Sequence, residues 1–149
     1  MGFRTAEEVT LPTRFLTTTA HFIAVVTILF DVRMLASQIL LAGSSDTDLL
    51  AADDLMQLTK QLSSVAYAAI ACFAVEYVGL FLGVSIFMHG HSCLYIVLHF
   101  VGAILTGLMY TNAWSAGALI AFVLVCNCIP AALELLTFLF VARVSYFSY

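Results

Sequence analysis

Four ionisable residues stand inside long apolar runs of this chain: His21, Glu76, His99 and Glu134. Imidazole and carboxylate together supply the groups used for proton transfer, metal ligation and haem ligation. In hydrocarbon each is costly, so it faces a protein interior and takes a partner. Their surroundings repeat: His21-Phe22-Ile23-Ala24 returns as His99-Phe100-Val101-Gly102, and Ala74-Val75-Glu76 returns as Ala132-Leu133-Glu134. Three uses compete. In the structural one, each Glu, neutral or ionised, hydrogen-bonds a His or a backbone group and fixes helix register. A bis-histidine haem would take His21 and His99 as axial ligands, making the chain a small membrane anchor of a redox complex. A metal or proton site would use both His and both Glu, although the Glu-x-x-His pairs of a di-iron bundle are absent. The structural use is preferred, with no cofactor and no bound metal.

The elements that must position these groups follow from composition. Of 149 residues, 63% are hydrophobic and 9% charged, with a mean hydropathy of +1.08. A water-soluble domain carries about 25% charged residues. A span needs about 20 apolar residues, which leaves room for about four. The fold class expected is an all-α membrane protein, with four transmembrane helices arranged as two parallel-repeat hairpins. Residues 1–149 form a single domain, with helices at about 15–36, 62–87, 92–110 and 114–142 and a polar loop over 42–61. Residues 46–62 have the spacing of a short surface helix. Met88-His89-Gly90-His91 and Thr111-Asn112 read as turns, and Pro130 as a kink in the last helix. Arg4, Arg14 and Arg143 lie on one side against Arg33 and Lys60 on the other, which puts both termini in the cytoplasm.

These helices bring the four residues to one depth. His21 and His99 lie about 11 Å from the cytoplasmic helix ends, and Glu76 and Glu134 about 13–17 Å from the same surface. Small and polar residues share their faces: Gly79 and Gly83 after Glu76, Ala103 and Gly107 after His99, and Asn127 and Pro130 before Glu134. That is the pattern of helix packing in lipid, where close backbone approach replaces a hydrophobic driving force.

Other chemistry is not indicated. Cys72, Cys93, Cys126 and Cys128 fall inside the expected spans, which argues against disulfides. Cys126 and Cys128 point about 200° apart on a helix, so they do not chelate. His89 and His91 read as a solvated turn. Nothing resembles a nucleophile with its base, a phosphate loop or a calcium loop, so no catalytic residue and no small-molecule substrate are expected. A net charge of −4 with five Lys and Arg excludes a nucleic-acid partner.

Pro12-Thr13-Arg14-Phe15-Leu16-Thr17 leading into Ala20-His21, Phe73-Ala74-Val75-Glu76, Gly83-Val84-Ser85-Ile86-Phe87 and Ile129-Pro130-Ala131-Ala132-Leu133-Glu134 resemble the transmembrane protein 107 family. The resemblance runs from Leu11 to Ala142. It implies a tetraspan component of the ciliary transition zone that acts in assembly, supporting ciliogenesis and control of ciliary membrane composition. It also implies partners: the lipid bilayer, other transition-zone membrane proteins, and B9-domain proteins of the Meckel–Joubert (MKS) module. It carries no catalytic residues.

Overall fold

The computed structural model describes residues 6–43, 52–82 and 89–147 of the chain. They form helices α1 (Ala6–Phe30), α2 (Val32–Gly43), α3 (Ala52–Leu82), α4 (His89–Asn112), α5 (Ala116–Val123) and α6 (Ile129–Phe147), with a π-helical turn (Leu124–Cys128) joining the last two. No strand occurs among the described residues. Four stretches are long and apolar enough to cross a membrane: Val9–Phe30, Ala52–Leu82, Gly90–Asn112 and Ala116–Arg143. The last runs through α5, the π turn and α6. Phe30 and Phe81 are 84% and 78% exposed, which would be an aggregation hazard in water and is the expected surface in lipid.

The buried residues recur at alternating spacings of three and four. On α1 they are Arg14, Thr18, His21, Val25 and Ile28. On α4 they are Ser92, Tyr95, His99, Gly102, Thr106 and Met109. On α3 they include Leu62, Ala66, Ala69, Phe73, Glu76 and Leu80. A repeat of 3.5 residues keeps one stripe facing its neighbours along a left-handed crossing, the geometry of most helical bundles. One half of this seam is apolar, built from Val25, Ile28, Leu62, Ala66 and Met109, and the packing continues into Leu35 and Ala36 of α2. The other half is polar, from Arg14 to His21 and from Ser92 to His99.

Element boundaries differ from the sequence reading in five places. Helix α1 starts at Ala6 and contains Pro12. Proline removes one backbone donor, but the packed helix continues past it, and the hydroxyls of Thr13 and Thr17 fold back onto the carbonyls of Val9 and Thr13 at 2.6 and 3.0 Å. Asp31 breaks α1 from α2, yet Asp31 N–H still reaches the Thr27 carbonyl (3.2 Å) and Leu35 N–H the Asp31 carbonyl (3.0 Å), so the chain bends there without losing its ladder. The expected polar loop 42–61 is helical through Gly43 and again from Ala52; residues 44–51 lie outside the described set. Asp53 and Asp54 occupy the first turn of α3, where carboxylates offset the helix dipole. The expected turn at 88–91 is helical from His89, and the turn expected at 111–112 falls at Ala113, whose φ of 48° ends α4.

Pro130 also acts differently from a simple kink. It offers no N–H to the carbonyl of Cys126 and its ring crowds that carbonyl. The preceding turn, Leu124–Cys128, widens to π geometry, which accommodates an extra residue. Seam spacing from Val123 and Cys126 would continue to residues 130 and 133. The buried residues are Pro130, Ala131, Glu134 and Thr137, with Leu133 only half-buried. Glu134 stands seven residues after the buried Asn127, and Thr137 seven after Pro130, so the inward face continues through the π turn.

Candidate functional site

Residues His21, Glu76 and His99 converge. His99 sits at the centre, fully buried on α4. Its Nε2 lies 2.5 Å from Glu76 Oε2 of α3, and its Nδ1 lies 3.2 Å from His21 Nδ1 of α1. His21 Nε2 in turn lies 3.4 Å from Thr106 Oγ1 of α4. One assignment with neutral imidazoles and an ionised Glu76 satisfies every contact. Thr106 O–H donates to His21 Nε2, His21 Nδ1–H donates to His99 Nδ1, and His99 Nε2–H donates to Glu76. The reverse assignment satisfies the same contacts: a protonated Glu76 donates to His99 Nε2, His99 Nδ1–H to His21 Nδ1, and His21 Nε2–H to Thr106 Oγ1. The second Glu76 oxygen, Oε1, is buried without a hydrogen-bond partner.

Apolar groups close the network on its flanks. The Phe73 ring lies edge-on to His21 at 5.1 Å between centroids and tilted against His99 at 5.7 Å. Gly102 passes directly beneath His21: a Cβ there would come within 2.8 Å of both imidazole nitrogens. This close approach is a reason for glycine that packing statistics alone do not provide.

Glu134 takes a partner that the sequence reading did not name. It forms an ion pair with Arg14 of α1, Nη2 to Oε2 at 3.0 Å, with the two side chains 3% and 2% exposed. The Arg14 guanidinium also lies 4.3 Å over the Tyr95 ring of α4, a cation–π contact. The Tyr95 hydroxyl interacts electrostatically with Glu134 but lacks hydrogen-bond geometry. Gly79 of α3 lies against the Glu134 carboxylate so closely that a Cβ would overlap it. Glu76 interacts electrostatically with both Arg14 and Glu134, so the two groups of contacts form one polar layer touching all four spans.

The residues assigned to packing divide. Gly79 and Pro130 are buried, Ala103 is half-buried, and Gly83 lies outside the described residues. Gly107 is corrected: a Cβ there would meet nothing within 4 Å, so it supports no close approach. Asn127 is fully buried in the π turn, with both side-chain polar atoms unpaired. Three contributors escaped the sequence reading. Arg14 reads as an interfacial cation until the seam is counted; it stands seven residues before His21, two turns along one stripe. Tyr95 and Thr106 stand four before and seven after His99 on the same stripe of α4.

A bis-histidine haem does not fit. Axial nitrogens on opposite sides of an iron, each at a metal–imidazole distance of about 2 Å, stand about 4 Å apart with the macrocycle between them. Here the two Nδ1 atoms touch at 3.2 Å, and Glu76 takes the other face of His99. Among the described residues no three His, Cys, Asp or Glu side chains gather as a metal site. Beside the layer, a groove of about 350 Å³ opens outward between α3 and α6, walled by Val75, Val78, Leu135 and Phe138 with Gly79 and Glu134 at its floor.

A family model described as TMEM107, transmembrane protein, matches residues 10–138. No match is found among curated proteins or among solved structures.

Proposed function

The chain belongs to the TMEM107 family of transmembrane proteins, and on that premise we propose that it is a non-enzymatic assembly component of the ciliary transition-zone membrane. In this reading it acts within the MKS module, supports ciliogenesis and limits which membrane proteins enter the cilium. Lipid-exposed helix faces contact other membrane components, and the ends outside the bilayer contact soluble B9-domain proteins, with both termini cytoplasmic. The observation that carries the reading is the family match, which extends over all four apolar spans.

The polar layer supports a structural role for its residues. His21, Glu76, His99, Arg14 and Glu134 are all 3% exposed or less, so none presents an acid, base or nucleophile to a substrate. Buried polar groups that bond across helices fix register and partner choice. A rigid tetraspan unit of fixed register gives a scaffold one reproducible outer surface.

The test is localisation at endogenous expression level. A tagged chain in ciliated cells should concentrate at the ciliary base beside a transition-zone marker, and proximity labelling there should recover other small membrane proteins and B9-domain proteins. Uniform distribution over non-ciliary membranes refutes the proposal.

A further inference from the structure

Two of the four cysteines are brought together by the fold. Cys72 lies on α3 and Cys128 closes the π turn, 56 residues away, yet their Sγ atoms stand 3.9 Å apart. Both are free thiols and both are half-buried, whereas Cys126 is buried and Cys93 is exposed near the start of α4. A disulfide has an S–S bond of about 2.0 Å, so closure from 3.9 Å asks each sulfur to move by about 1 Å, within reach of small side-chain rotations.

We propose that Cys72 and Cys128 form a thiol–disulfide site in the membrane interior, oxidised by hydroperoxides of the surrounding lipid. The oxidant class follows from position: both cysteines lie within apolar spans and are only partly buried, where the solvent is lipid. The chemistry closes in two steps. One thiol attacks the outer peroxide oxygen, the O–O bond breaks, and a sulfenic acid and a lipid alcohol form. The second thiol then displaces the sulfenic oxygen as water and the S–S bond forms. In sum, two thiols and one hydroperoxide give one disulfide, one alcohol and one water. The bond ties α3 to the π turn one helical turn from Glu76, on the same seam that opens as the groove beside Gly79 and Glu134. Oxidation fixes that seam, and thiol reductants release it.

The experiment uses the reduced full chain in lipid nanodiscs treated with cumene hydroperoxide, followed by alkylation, intact mass and peptide mapping. The expected result is a monomer lighter by about 2 Da before alkylation, two fewer alkylated thiols, and a linked peptide pair containing Cys72 and Cys128, all reversed by dithiothreitol. Cys93→Ser should retain the linkage, while Cys72→Ser and Cys128→Ser should each abolish it. Because the wild-type chain gives the primary readout, misfolding of a variant does not mask the answer. Oxygen addition to either cysteine without a bond between them overturns the proposal. So does a linkage through Cys93 or Cys126 that leaves Cys72 and Cys128 open to alkylation.

Discussion

The Arg14–Glu134 pair is the contact whose energetics are most sharply constrained. Both side chains are nearly sealed, at 3% and 2% exposure, and the ions meet at 3.0 Å. Removing one partner takes away the nearest counter-charge of the other buried ion, which costs about 3–5 kcal/mol, whereas replacing both by apolar groups of similar volume is often neutral. Single-partner loss is therefore expected to destabilise strongly as Arg14→Met or Glu134→Leu, and the double variant much less than their sum. In a bilayer the unfolded reference state also finds polar partners, which trims neutral interhelical hydrogen bonds to about 0.6 kcal/mol on average and about 1.7 at most. Full charges lose more than neutral groups under the same conditions, so each single loss is expected near 3 kcal/mol, the low end of the buried-pair range, and the coupling at about 3–6 kcal/mol according to how nearly neutral the double variant is. The two single variants differ in their remedy: a stranded carboxyl is able to take up a proton, while a stranded guanidinium keeps its charge. The retained Tyr95 face beneath Arg14 softens that second case by about 2 kcal/mol. The assay is a double-mutant cycle of unfolding free energies in lipid bicelles or nanodiscs. A coupling near 0.6 kcal/mol, indistinguishable from a neutral contact, refutes a buried ion pair.

Gly79→Ala should destabilise by about 1–3 kcal/mol, the usual cost of overpacking, because the new Cβ overlaps the Glu134 carboxylate; combined with Glu134→Ala the loss should shrink, as measured by thermal unfolding in nanodiscs. Gly102→Ala should behave alike through His21, while Gly107→Ala, with open space around it, should leave stability unchanged or raise it by up to about 1 kcal/mol through helix propensity. His99→Ala strands both Glu76 and His21, each unsatisfied group costing about 1–3 kcal/mol, so it should exceed Tyr110→Phe, whose exposed bond to Asp31 is worth less than about 1.5 kcal/mol. Equal effects of those two variants on unfolding would contradict the central place given to His99.

The helices were legible because lipid enforces a simple rule: long apolar runs with every backbone group satisfied internally. Their ends were less so. His89 reads as a turn from Gly90 beside it, yet a helix start tolerates glycine, and the chain enters α4 there. Within the expected polar loop the helical spacing of residues 46–62 was legible, and residues 52–61 are helical; that this helix runs unbroken into the span was not. Within the site, the convergence of His21, Glu76 and His99 was anticipated from depth and face. Depth and face put Glu134 in the same layer but left its partner open between a histidine and a backbone group, and Arg14 was not counted among the candidates. Arg14 was assigned to the interface because a single arginine near a helix end is usually there.

That misplacement has a common physical origin. Counting from the seam rather than from the helix ends puts Arg14 seven residues before His21 and Tyr95 four before His99, both on buried stripes. A cation and an aromatic ring then lie at one level of α1 and α4, and an acid is needed from another helix. Glu134 supplies it from the last span, seven residues after the buried Asn127. Pro130 removes a donor and crowds the Cys126 carbonyl, and the turn before it is π-helical. That turn holds Asn127, whose amide is unpaired, and Cys128, which lies against Cys72. The irregular turn, the ion pair and the thiol contact thus all fall on one stretch of the last span.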